Sequence, residues 1–183
     1  MNGVLNFALS IVGVAGFLLA VVLAWVEWHR YRIPLQVILR EIHYSGSSKG
    51  THLILLWLAF VNPSSAGKTV FSIRGGAPNS EVFSTCPYQY DRERDTVAFP
   101  PMGSGKAVEI AKSELLWLPL DIPPNQSAIK ALPVLIKTPD SANSHPQVHL
   151  RLKVFDVLGK QLAEIDQNIE LKTHQLSLEH YVA

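Results

Sequence analysis

One cysteine, Cys86, is all the chain has among its 183 residues, so no disulfide can close within it. A lone thiol suits a reducing compartment. Charge of one sign is missing too: 16 basic residues stand against 15 acidic ones, a formal net charge of +1. That balance offers no global attraction for nucleic acid or for an acidic substrate. Neither an internal repeat nor a low-complexity tract is visible, and no amphipathic helical period follows Pro34. Charge is wholly absent from Val4 to Val26, VLNFALSIVGVAGFLLAVVLAWV, where the first ionisable side chain afterwards is Glu27.

That stretch is the strongest statement in the chain. At about 1.5 Å per helical residue it covers roughly the 30 Å hydrocarbon core of a bilayer. A lone segment in lipid must satisfy its own amides, which a helix does. A cleavable signal peptide has a basic n-region and a shorter apolar core, and no Lys or Arg precedes this one. Val22 and Ala24 would be the small residues of a cleavage site in that competing reading. The expectation is a single-pass anchor over residues 1–33, with the bilayer as its first partner.

Its flanks predict an orientation. Arg30, Arg32 and Arg40 follow the stretch, and positive charge favours the cytoplasmic side, so the domain is expected in the cytoplasm with the N-terminus outside. Trp25, Trp28 and Tyr31 fit an aromatic belt at that interface, beside Arg30 and Arg32. Gly16, Ala20 and Ala24 fall on one helix face, where small residues allow close packing with a partner helix.

Residues 34–172 read as strand and turn and are long enough for one domain core. HLILLWLAFV, His52 to Val61, is apolar throughout, as a central strand covered on both sides would be. Gln147 to Val157 alternates, with Val148, Leu150, Leu152 and Val154 on one face and His149, Arg151 and Lys153 on the other. Gly159 marks a turn, and Gln161 to Leu171 returns. Further strands are expected over 35–44, 68–74, 106–111, 114–120 and 129–137, the last with Pro133 as an edge or bulge signal. Residues 75–105 read as a long irregular insertion, with EVFSTC (81–86) and TVAF (96–99) as possible short strands, and 173–183 as a tail. Trp57 and Trp117 are the expected core aromatics. The sum is an all-β, immunoglobulin-like β-sandwich behind one transmembrane helix.

Two turn motifs, FVNPSS after a strand and LPLDIPPNQS before another, carry a resemblance. The chain resembles small membrane-anchored immunoglobulin-like domains, and is similar to water-stress-type β-sandwiches, in which an Asn-Pro turn follows an early strand. The resemblance implies the fold. It carries over no activity and no functional residue.

Candidate chemistry is sparse. NPSSAGKT, Asn62 to Thr69, matches the second half of a phosphate-binding loop in Gly67, Lys68 and Thr69. Asn62 replaces its first glycine, though, and a β-branched segment follows where a helix is required. Gly103, Ser104, Gly105 and Lys106 form a poorer match. His145 and His149 on one strand face would lie about 13 Å apart, too far for one metal. No cofactor, metal or small-molecule substrate is therefore expected. Cys86 with a histidine would support a membrane-tethered hydrolase or thiol enzyme, the enzymatic alternative. A stress-protective or lipid-contacting sandwich is a third reading. The favoured expectation is a binding, scaffold or accessory subunit at the membrane surface. Tyr88, Tyr90, Arg92 and Arg94 are its candidate partner-binding residues, since Tyr and Arg are favoured in binding hot spots.

Overall fold

The computed structural model describes residues 2–48, 51–76, 88–99, 107–137 and 147–170. Cys86, the 103–106 motif, His145 and the 173–183 tail lie outside them. The apolar stretch forms helix α1 (Asn2–Arg32), which is long and apolar enough to cross a membrane. None of its span Gly13–Arg32 is buried against the rest of the protein. His29, Arg30 and Arg32 occupy the last turn, where cations favour the negative end of the helix dipole. Pro34 stops the helix, because the residue before a proline is pushed out of the helical region.

The rest is β. Among the described residues eleven strands follow: β1 (Gln36–Ser48), β2 (Thr51–Asn62), β3 (Lys68–Val70), β4 (Ser72–Gly76), β5 (Gln89–Asp91), β6 (Thr96–Phe99), β7 (Val108–Ala111), β8 (Leu120–Ile122), β9 (Gln126–Lys137), β10 (Gln147–Phe155) and β11 (Gln161–Glu170). They pair into small antiparallel sheets, ordered β1-β2-β9, β11-β10-β4, β3-β8 and β5-β6-β7. β9 is an edge of its sheet, which is where Pro133, with no N–H to donate, is tolerated. Residues 114–120 do not make the expected strand. Leu115 forms a single bridge to Ala131, and the chain turns away before β8. Inside the 75–105 interval, where composition predicts irregular chain, β5 and β6 form a hairpin that β7 extends.

β2 organises the core because both its faces are apolar. Ile54, Leu56, Leu58 and Phe60 join one cluster with Val134, Ile136, Leu150, Leu152, Val154 and Ile165. Leu53 and Leu55 point the other way, into a second cluster with Val97, Phe99, Ile110, Leu115 and Ala131. Each such side chain contributes about 1.5–3 kcal/mol on burial. The β10 alternation holds: Val148, Leu150, Leu152 and Val154 are buried while His149 and Arg151 are exposed.

A polar knot closes the end of the β part from which α1 departs. Asn62 is fully buried, and its Nδ2 donates to the carbonyls of Ala66 (2.8 Å), Ile122 (3.0 Å) and Pro123 (3.1 Å). Its Oδ1 accepts from the Ser64 amide (3.2 Å) and hydroxyl (2.7 Å). One side chain thus ties the β2–β3 turn to the β8–β9 turn, satisfying groups that would be costly to bury unpaired. The helix end is fastened to the same place. The Ser65 amide donates to the Arg30 carbonyl (3.4 Å), and Lys68 Nζ to the Tyr31 carbonyl (3.4 Å).

Candidate binding surface

Over the second core cluster, apolar side chains continue out to solvent. Tyr90 is the register partner of Val97, a buried member of that cluster, so its side chain leaves from the core-facing side of an edge strand. Tyr88, two residues earlier, shares that face by strand alternation. Its ring meets that of Trp117 edge-on, with centroids 6.4 Å apart at 80°. Trp117 was expected in the core. Instead it is 46% exposed, while Leu115, Leu116 and Leu120 of its apolar run pack inward. Trp57 does pack against the second cluster, and its buried indole N–H meets no acceptor.

Lys112 holds this surface together. Its carbonyl accepts from Trp117 Nε1 (2.9 Å), and its amide donates to the Asp95 carbonyl (2.9 Å). The Lys112 ammonium lies 5.0 Å from the centre of the Tyr90 ring, a cation–π contact. The Tyr90 hydroxyl donates to Asp95 Oδ1 at 2.6 Å. Accepting that bond, the Asp95 carboxylate raises the phenol above its ordinary pKa, with desolvation and the carboxylate's charge adding to it and Lys112 opposing. The β5–β6 turn is fixed too, because Asp91 Oδ1 accepts the Glu93 (2.9 Å) and Arg94 (3.2 Å) amides. Rings held by backbone bonds lose little freedom when they bind, which suits a preformed recognition surface.

The four predicted partner-binding residues therefore separate. Tyr88 meets Trp117 and Tyr90 meets Lys112, Lys112 links the two through Trp117, and Leu118 is exposed next to Trp117 in the chain. Arg94 turns to the acids, 3.8 Å from Asp91 and 3.9 Å from Glu109, while Arg92 is exposed at the turn. Pro119, directly after Trp117-Leu118, was the sequence signal that this apolar run could not continue as a buried strand.

On the helix, Trp28 stacks under Arg32, whose guanidinium lies 4.3 Å from the ring centre. Trp25 and His29 rings lie 4.1 Å apart. Tyr31 faces Lys68, whose Nζ is 5.7 Å from the ring centre. Gly16, Ala20 and Ala24 are exposed, and a Cβ added at Gly16 would meet nothing within 4 Å.

Elsewhere, His149 lies 2.9 Å from Asp166 and 2.8 Å from Asn168 on the exposed face of β10 and β11. Among the described residues no group of three or more His, Cys, Asp or Glu side chains could hold a metal ion. Comparison of the chain with protein-family models, with curated proteins and with solved structures finds no match in any of the three, and the residues themselves carry the argument.

Proposed function

We propose that this protein is a single-pass membrane-anchored binding subunit, displaying an immunoglobulin-like β-sandwich on the cytoplasmic face. In this reading it holds a protein partner at the membrane surface through Tyr88, Tyr90, Lys112, Trp117 and Leu118. The observation that carries it is the exposed edge-on Tyr88–Trp117 pair, continuous with the core and braced by Lys112. Aromatic side chains with a polar handle supply much of the energy in protein interfaces. The sandwich reading is supported by two three-stranded sheets sharing one apolar cluster. Arg30 and Arg32 at the helix exit support the cytoplasmic side.

The test is a photo-crosslinking residue in place of Leu118 in full-length protein, irradiated in native membranes. One discrete protein adduct is expected, lost in Trp117→Ala. Absence of any adduct, or an adduct indifferent to Trp117→Ala, overturns the reading.

A further inference from the structure

The β10–β11 turn breaks a general rule of turns, which are polar. Val157 is 65% exposed and Leu158 is 89% exposed, at the tip of Asp156-Val157-Leu158-Gly159-Lys160. The tip is built rigidly. Asp156 Oδ1 accepts the amides of Leu158 (2.9 Å) and Lys160 (2.8 Å). The Asp156 amide donates to the Lys160 carbonyl (3.0 Å), and Gly159 takes the left-handed φ of 77° that the turn requires. An aliphatic side chain is thus presented to solvent by a locked turn.

The strand directions say which way the tip points. β1 leaves the helix three residues after Arg32, so Gln36 marks the helix-exit end, and its register partner Val61 lies there too. β3 starts at that end as well, with Lys68 against Tyr31. Three residues on, the Phe71 amide donates to the Phe155 carbonyl (2.9 Å). β10 runs antiparallel to β4, so it arrives at Phe155 heading back toward the helix exit. Beyond Phe155 the chain closes the turn Asp156–Lys160, so the tip lies on the helix-exit side of Phe155. Phe71 is half-exposed beside it, and Ile38 and Ile129, exposed on either side of Ala59, lie near the same end.

We infer that this end of the β part docks on the bilayer surface, with Val157 and Leu158 inserted at the headgroup–acyl boundary of the leaflet that α1 enters. The inference rests on the reading of α1 as a membrane anchor. Because the helix end is bonded to Ser65 and Lys68, the anchor would hold this end, and no other, against lipid. The charges agree. Arg30, Arg32, Lys68 and Lys160 outnumber the acids Glu27, Asp121 and Asp156 there, and Asp156 and Asp121 are each held by a hydrogen bond within the protein, Asp156 by its turn amides and Asp121 by the Thr69 hydroxyl (2.6 Å). Aliphatic side chains gain from the hydrocarbon, and juxtamembrane cations gain from anionic lipid. The docking would fix the tilt of the β part relative to the membrane, and with it the direction in which the aromatic surface faces.

Full-length protein with Cys86→Ser is reconstituted into vesicles of phosphatidylcholine and phosphatidylglycerol. A bimane label is placed, one at a time, through Leu158→Cys, Gln167→Cys and Val22→Cys. The expected result is a blue-shifted label at 158 that loses intensity to lipids brominated near the ester end of the acyl chain. The label at 22 should lose intensity to lipids brominated deeper, and the label at 167 to neither. A lipid-quenched 22 with an aqueous 158 overturns the docking and leaves the anchor standing. An aqueous 22 overturns the anchor reading and this inference with it. As a second measurement, a label through Phe71→Cys should lose its quenching when Val157→Asp and Leu158→Asp are added. Unchanged quenching there counts against the insertion of the turn.

Discussion

At the helix-exit end the most exposed apolar side chains are aliphatic, Val157 and Leu158, whereas over β5, β6 and β7 they are aromatic, Tyr88, Tyr90 and Trp117. Both surfaces are preformed, but by different means. A carboxylate gathering turn amides fixes the aliphatic tip, and one lysine bracing two aromatic side chains, Tyr90 and Trp117, fixes the aromatic surface. The difference teaches what each could bind. An aliphatic tip with flanking cations has no directional bond to offer and suits a fluid surface such as lipid. Rings oriented by an N–H and an O–H bonded within the surface present fixed faces and edges, which suit a partner of fixed shape. The two regions also rest on different supports, the second apolar cluster for the aromatic surface and the Asn62 knot for the helix-exit end. That separation can be broken from either side.

The largest expected effect comes from removing the aromatic surface's floor. Phe99 is fully buried in the second cluster, and Phe99→Ala should cost about 3–5 kcal/mol. Amide hydrogen exchange should then accelerate across β5, β6 and β7 while β3 and β8 keep their protection. If both regions lose protection together, they form one cooperative unit and the contrast drawn above falls.

The reciprocal experiment is Asn62→Ala. The Ser64 amide loses its acceptor and the Ala66, Ile122 and Pro123 carbonyls each lose one donor, which should cost about 2–3 kcal/mol. Faster exchange is expected at the Ser64, Ser65 and Asn125 amides and along β3 and β8, with the β5–β6 ladder unaffected. Protein in which the Tyr90–Val97 pairing also opens would show that the helix-exit end supports the aromatic surface.

How much of this was legible follows the physics of each residue. α1 and β2 were readable because each is a long run of apolar residues, the one long enough to cross a membrane and the other with apolar neighbours on both faces. β10 was readable because one face is wet and one dry, and Val148 to Val154 alternate accordingly. Trp117 was misplaced because apolar neighbours in sequence look like a buried strand. Only one bridge, Leu115 to Ala131, holds that segment, and Pro119 ends it. Thr96 to Phe99 was legible as a short strand and forms β6, whereas β5 hid beside the Asp91–Asp95 charges, which close a tight turn in which Asp95 takes φ 50°. Val157 and Leu158 drew no notice because a turn has no period against which an apolar residue stands out. Their meaning comes from the direction in which β10 runs, a property of the sheet.

The smallest effect tests whether the aromatic surface carries the directional chemistry that distinguishes it from the aliphatic tip. The Tyr90 hydroxyl bonds to the Asp95 carboxylate, and that bond exists only while the phenol keeps its proton. The neutral form is favoured, so the folded-state pKa is raised above the ordinary value of about 10. By linkage, the bond's contribution is fully present below about pH 10 and is lost as pH rises through the folded-state pKa. Carbon-13 labelling of the tyrosine ring should show Tyr90 titrating late. Asp95→Asn removes the charge while tolerating the positive φ at that position, and should bring the midpoint down. Because the pair is solvent-exposed, added salt should weaken the part of the shift that comes from the carboxylate's charge. A midpoint indifferent to Asp95→Asn would mean that the hydroxyl is free to seek other partners, and the aromatic surface would then lose the directional contact on which the contrast with the Leu158 tip depends.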